Sequence, residues 1–213
     1  PAPGFAERDL GELWRVNAQV MREAAARANV PRESIVAVGL SGHGKGLYLL
    51  DKQGRPLGNG ILSADNRALR YETQFLASSV GEYIRQTNRQ SILAGQPVCL
   101  LRWLKDEKRD MYDRIGAVLS VNDYIRYCLT GKIYAEKTSL SGSNLWNLTA
   151  RAYDEEILRR FGIEEVFSAL PPVVESSQPC GTLLPAAAQA TGLCEGTVVA
   201  GGMFDIDACA LSV

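Results

Sequence analysis

Leu10, Leu13, Trp14, Val20, Met21, Ala24 and Ala28 recur at helical spacing, with Asn17 the one polar break in the stripe. Asp9-Leu10-Gly11-Glu12 has the spacing of a capping box and Pro31 lies beyond, so a helix over 10–28 is predicted. Ile35 to Leu40 is apolar throughout and reads as a strand covered on both faces. A glycine-punctuated turn follows, Ser41-Gly42-His43-Gly44-Lys45-Gly46. Leu47 to Leu50 then reads as a strand running into a hairpin turn at 51–54, with 56–62 returning.

From Asp65 to about Ser78 the pattern is helical. Pro97 suits the first turn of a helix carrying Leu100, Leu101, Trp103 and Leu104. Asn122 or Asp123 can cap another, which stops at Gly131. Helices are also expected over 152–162 and over 185–191, closed by Gly192, with Pro171-Pro172 in a loop. Thr197 to Gly202 returns to strand, Asp205 follows at its carboxyl end, and 208–213 is expected to begin a further strand. Helices and strands alternate, so the fold class is α/β.

Composition narrows the function classes. The 213 residues are 46% hydrophobic, enough for one substantial core or two small ones. The net charge of −1, with 23 basic and 24 acidic residues, leaves no electrostatic footprint for nucleic acid or an anionic membrane. No apolar run approaches the roughly 20 residues of a membrane span. The five cysteines, Cys99, Cys128, Cys180, Cys194 and Cys209, are odd in number and widely spaced. They read as small buried hydrophobes in a reducing, cytoplasmic compartment, with no disulfide framework or metal site. His43 is the only histidine, and no G-x-S-x-G elbow accompanies it, which argues against serine-hydrolase chemistry.

Three segments carry candidate chemistry. Glycines in Ser41–Gly46 let backbone approach a ligand, with His43 and Lys45 as the polar groups, although a tight turn alone would read the same. It is not a Walker loop. Asp65 and Arg67 stand at a strand-to-helix junction, where Asp65 could cap the helix and Arg67 could be its partner or a surface charge. Asp205 follows Gly201-Gly202 beyond the end of a strand, where open α/β sheets bind ligands; a general base and a cap are both open readings.

Taken in order, these segments resemble the FGGY family of carbohydrate kinases. Gly4 to Asp9 is similar to the family's G-x-x-E-x-D lead-in, and Val38 to Asp51 to its first sugar-contact turn and hairpin. Ile61 to Arg67 resembles x-D-x-R, and Asp123-Tyr124 through Leu129-Thr130-Gly131 resembles D-Y-x(4)-L-T-G. Gly95 to Glu107 follows another family signature, with Leu100 in place of its lysine, and Gly201 to Asp205 resembles the catalytic G-x-x-x-D. Within the family the wording is closest to L-xylulose kinases, as in Gly44-Lys45-Gly46-Leu47 and Leu170-Pro171-Pro172-Val173-Val174. Ser63 and Ile206 depart from positions where many members carry Trp and Asn or Gln, which argues against D-xylulose or glycerol.

The resemblance implies an actin/hexokinase-like, ribonuclease H-like fold, with residues 1–213 forming most of the N-terminal sugar-binding domain. A phosphate-binding hairpin is expected before Pro1 and a nucleotide domain after Val213. ATP and Mg2+ are then the implied cofactors, bound mainly by those parts, and 1–213 alone is expected to be inactive. Asp205 is implied as the general base, Gly44, Lys45 and Asp65 as sugar contacts, and His43 and Arg67 as residues that order the pocket. The implied partner is a small-molecule sugar such as L-xylulose, and the full-length protein admits a homodimer. Erythritol or another polyol as substrate, or a non-catalytic sugar-binding module, are the alternatives.

Overall fold

The computed structural model describes residues 3–213. Its strands are β1 (Glu7–Arg8), β2 (Ala37–Val38), β3 (Ser41–Gly42), β4 (Tyr48–Asp51), β5 (Gly60–Ile61), β6 (Ile115–Leu119), β7 (Ala135–Glu136), β8 (Trp146–Asn147), β9 (Ala152–Tyr153), β10 (Val173–Val174), β11 (Pro179–Thr182), β12 (Val198–Ala200) and β13 (Met203–Phe204). Its helices are α1 (Leu10–Arg27), α2 (Leu69–Leu76), α3 (Ser79–Asn88), α4 (Pro97–Glu107), α5 (Arg109–Tyr112), α6 (Val121–Thr130), α7 (Lys137–Ser141), α8 (Glu155–Phe161), α9 (Pro185–Thr191) and α10 (Asp205–Leu211).

The antiparallel pair β4–β6 divides two cores. Side chains alternate across a strand, so Leu47 and Leu49 face one cluster while Tyr48 and Leu50 face the other. The first cluster holds Tyr71, Phe75, Ile84, Leu101, Leu104 and Phe161 from helices α2, α3, α4 and α8. The second holds Leu10, Tyr124, Ile125, Leu129, Ala187 and Ala188 from α1, α6 and α9. The result is helices on both sides of a central ribbon. The hairpin at 51–54 forms as read, with Gly54 N donating to Asp51 O and Leu57 N to Leu49 O.

Two pairs of parallel strands carry the chain toward the site. β2 lies beside β12, with Ala37 opposite Val198. Further on, β3 lies beside β13, with Ser41 opposite Met203. The first strand takes four steps between those points and the second takes five. The extra residue is accommodated at Gly201-Gly202, where Gly202 has φ +93° and a Cβ would meet Leu40 O at 2.7 Å. Only glycine fits that conformation without strain.

Several sequence expectations are corrected. Among the described residues the segment 35–40 is not covered on both faces. β2 is an edge strand of the β11–β12–β2 sheet, and Val36 is 73% exposed. Val20, on α1, is likewise 60% exposed. The expected strand over 208–213 is instead the end of α10, and the helix expected from Asp65 begins at Leu69. The helix expected from 152 begins at Glu155, because Ala152–Tyr153 pair with β8. Ser120, not Asn122 or Asp123, caps α6; Asp123 completes its capping box from inside the helix. No helix among the described residues is long and apolar enough to cross a membrane.

Candidate active site

The parallel pairing of β3 with β13 sets His43-Gly44-Lys45 beside Phe204-Asp205, segments far apart in sequence. Between them opens a cavity of about 690 Å3, walled by those residues with Ser63, Ala64, Ile206 and Cys209. Its charged side chains are Lys45 and Asp205.

Asp205 is the first residue of α10, directly after β13. Its Oδ1 accepts from Ile206 N at 2.8 Å, while Oδ2 takes part in no hydrogen bond found among the described residues. One oxygen is thereby oriented and the other is left for a ligand. A carboxylate in this state can accept a proton from a bound hydroxyl. Lys45 belongs to none of the ion pairs found among the described residues, so its ammonium is available to an oxygen in the cavity.

The turn that presents Lys45 is rigidly held. Gly46 N donates to Gly95 O at 2.8 Å, and Gly46 has φ +86°, where a Cβ would meet Ile61 O at 2.5 Å. His43 Nδ1 lies 2.7 Å from Lys45 O, and its Nε2 lies 3.1 Å from the Tyr48 hydroxyl. A carbonyl can only accept, so Nδ1 carries the proton and Nε2 accepts from Tyr48. Burial pushes the Tyr48 phenol well above its ordinary range, which keeps that hydroxyl a donor. His43 therefore braces the turn with both ring nitrogens engaged.

Asp65 does not reach the cavity. The side chain is almost fully buried, at 1% exposure for the residue, and both oxygens are filled. Oδ2 accepts from Ala6 N at 2.6 Å and Arg67 Nη2 at 2.9 Å; Oδ1 accepts from Arg67 N and Nε, each at 2.9 Å. The expectation that Asp65 binds sugar is thus corrected, because no acceptor capacity is left for it; nor does it cap α2. Arg67 also pairs with Glu7 at 2.6 Å and stacks over Phe5, 4.1 Å from its ring centroid. Burial alone would raise the Glu7 carboxyl, but hydrogen bonds from Arg67 and Asn59 outweigh it and hold Glu7 below its ordinary range. This Glu7–Arg67–Asp65 chain ties the N-terminal lead-in to the turn after β5 that carries Ser63 and Ala64.

Sequence reasoning missed Phe204 and Cys209. A Cβ on Gly44 would meet the Phe204 ring at 3.0 Å, so that ring packs directly under the turn. Cys209 is exposed and lines the cavity, against the expectation that all five thiols are buried; α10 being a helix rather than a strand turns it toward Asp205's face. Cys99 and Cys128 fit the expectation better, with burial pushing their thiols up to about 12 and about 11.

A model of the N-terminal domain of the FGGY family of carbohydrate kinases matches residues 1–212. The chain belongs to the FGGY family. It is 43% identical over 208 residues to a probable L-xylulose kinase of Pasteurella multocida, covering 98% of this chain and 43% of that protein. It is 44% identical over 211 residues to an L-xylulose/3-keto-L-gulonate kinase of Escherichia coli, covering 99% of this chain and 42% of that protein. The crystal structure of a xylulose kinase from Rhodospirillum rubrum superposes with a TM-score of 0.88 at 25% identity, covering 99% of this chain and 44% of that one. The chain therefore has the actin/hexokinase-like fold of FGGY kinases, and it spans less than half the length of the curated relatives it matches.

Proposed function

We propose that this chain supplies the sugar-binding wall of a kinase that phosphorylates a ketose of the L-xylulose type, with Asp205 as general base. The observation that carries the reading is the convergence of Asp205 with Lys45 and Gly44 on one cavity in a chain of the FGGY family. In this reading residues 1–213 are most of the N-terminal domain, and the nucleotide domain follows Val213. The similarity to enzymes named for L-xylulose and 3-keto-L-gulonate supports those two ketoses as the first substrates to test.

The cavity's one ammonium and one carboxylate suit sugar hydroxyls, but they do not make a cradle for a triphosphate. Among the described residues no cluster of three or more His, Cys, Asp or Glu could hold a metal ion. In this reading ATP and Mg2+ are held mainly by the nucleotide domain. ATP supplies the phosphoryl group when bound. This chain's own residues orient the sugar: Lys45 donates to a hydroxyl, and the Gly44 backbone and the Phe204 ring lie alongside. Asp205 Oδ2 takes the proton of the attacking hydroxyl, which raises its nucleophilicity.

The test is a coupled ADP assay on the full-length protein with ATP-Mg2+ and L-xylulose, 3-keto-L-gulonate, D-xylulose, erythritol and glycerol. Turnover with the first two is expected to exceed the rest. Asp205→Asn should lower kcat by roughly 10²–10⁴-fold, with sugar affinity little changed. Near-normal turnover in that variant would rule out Asp205 as the base, and preference for erythritol would move the substrate to the polyols.

A further inference from the structure

Asp205 sits at the end of a short strand, and nothing in its own side chain fixes where that strand ends. The backbone leading into it is held from behind by side chains that do not line the cavity. The sharpest of these contacts falls one residue before Asp205: Phe204 N donates to Thr138 Oγ1 at 2.8 Å. Thr138 Oγ1 in turn donates to Glu136 Oε2 at 2.7 Å.

Glu136 is 0% exposed and takes part in no ion pair found among the described residues. Its two oxygens are filled by neutral donors alone. Oε1 accepts from Thr138 N at 2.9 Å and Ser176 Oγ at 2.8 Å, and Oε2 accepts from Ser139 N at 2.9 Å as well as from the threonine hydroxyl. Its own backbone N donates to Asp123 Oδ1 at 3.0 Å. A carboxylate so placed can only accept, so it draws the Thr138 hydroxyl proton to itself and leaves the oxygen lone pairs facing Phe204 N–H. The direction of the chain Phe204 N–H to Thr138 to Glu136 is therefore fixed.

We infer that Thr138, oriented by Glu136, is a positioning residue for Asp205: it sets how far β13 advances before α10 begins, and hence where the carboxylate meets the sugar hydroxyl. The inference rests on the reading of Asp205 as general base. The same contact carries the Phe204 ring, which packs under Gly44, so both sides of the pocket floor share one anchor. The neighbouring ties are carbonyl contacts of a different kind: Asn122 Nδ2 donates to Met203 O at 3.2 Å, and Arg126 Nη1 donates to Gly201 O at 2.6 Å. Within β13, Met203 N is held by the backbone carbonyl of Leu40 at 2.8 Å, and among the described residues Thr138 is the side chain that holds an N–H of this strand, at the residue next to the base.

The experiment compares Thr138→Val and Thr138→Ser in the full-length protein, with L-xylulose and ATP-Mg2+. Valine keeps the shape and removes the hydroxyl; serine restores the hydroxyl and removes the methyl. Thr138→Val should lower kcat roughly 10- to 100-fold, the size expected for a small misplacement of a catalytic group. Its sugar Kd should stay within about 3-fold by calorimetric titration, which is under 1 kcal/mol. The number of sugar sites per chain should be unchanged, and Thr138→Ser should recover most of the lost kcat. Full kcat in the valine variant would overturn the inference. So would a loss that follows the number of binding sites, or a serine variant no better than valine. Asp205→Asn in the same assay separates the two claims. Its inactivity beside a fully active Thr138→Val removes the positioning role alone, whereas its activity removes the base and the inference resting on it.

Discussion

Arg126 is the largest side chain with no exposed surface, and its replacement by methionine should be among the costliest single changes in the chain. Its guanidinium donates to Asp123 Oδ1 at 2.7 Å, Gly201 O at 2.6 Å and Tyr134 O at 2.6 Å. Methionine fills a similar volume, so the loss is electrostatic and hydrogen-bonding rather than a cavity. Breaking a buried ion pair by removing one partner costs about 3–5 kcal/mol. Asp123 keeps donors from Ser120 N, Ser120 Oγ and Glu136 N, which places its share at the lower end. The two carbonyls left without a donor add about 1 kcal/mol or more, for a total of about 4 kcal/mol. That is a large part of the roughly 5–15 kcal/mol that holds a typical domain together. In a cooperative unit of this size it corresponds to a fall in Tm of about 8–16 °C. Thermal unfolding of the full-length protein, followed by tryptophan fluorescence from the buried Trp103 and Trp146, measures it. The fall should be the same at low and high salt, because a pair this buried is poorly screened. Asp123→Asn combined with Arg126→Met should be less damaging than the two single losses added, since the stranded charge is gone. A Tm within about 2 °C of the parent, or strictly additive losses, would refute the account of Arg126 as the partner that makes Asp123 tolerable.

Lys45→Ala should weaken sugar binding by roughly 10–150-fold, the equivalent of one charged hydrogen bond, and leave ATP affinity nearly unchanged; equilibrium titration with each ligand checks both. The Glu7 carboxyl is held below its ordinary value of 4.5, so its contribution to stability is present above that value and is lost as pH falls through the lowered one. Glu7→Gln should accordingly flatten the acid limb of a Tm-against-pH profile below about pH 4.5. An unchanged acid limb would mean that Glu7 is not what ties the lead-in to Arg67.

The elements that were legible in the sequence are those whose ends are fixed locally. Asp9 caps α1 through Glu12 N, Pro97 and Pro185 each stand in the first turn of a helix, and Gly192 closes α9, all within a few residues of one another. The 51–54 hairpin is local in the same sense. Elements decided by distant partners were not legible. An apolar strand reads alike whether it is central or at an edge, so 35–40 looked doubly covered although among the described residues β2 pairs with β12 alone. β6 escaped notice because it is defined by pairing with β4. Of the candidate site, Gly44, Lys45 and Asp205 do meet around the cavity. Asp65 could not have been separated from them by spacing. What removes it is Arg67 folding back on it and the amide of Ala6 arriving from far upstream. Thr138 and Glu136 gave no signal, since a threonine two residues after a glutamate is unremarkable until Phe204 is set against it.

The parallel pairing of β2 with β12 has a consequence for synthesis. The two strands are separated by roughly 160 residues, which a ribosome adding 5–20 residues per second takes about 8–32 s to make. Through that interval the nascent chain carries an apolar strand without its neighbour, beside a helix whose Val16 and Val20 face water. Such an edge is open to the same strand of another nascent chain on the same message. Hairpins and helices of the 47–130 stretch can settle early, since their contacts are short-range, while the two walls of the cavity come together only when residue 205 has emerged. Masking of residues 10–40 by a chaperone should therefore alter the yield of this protein more than its final stability.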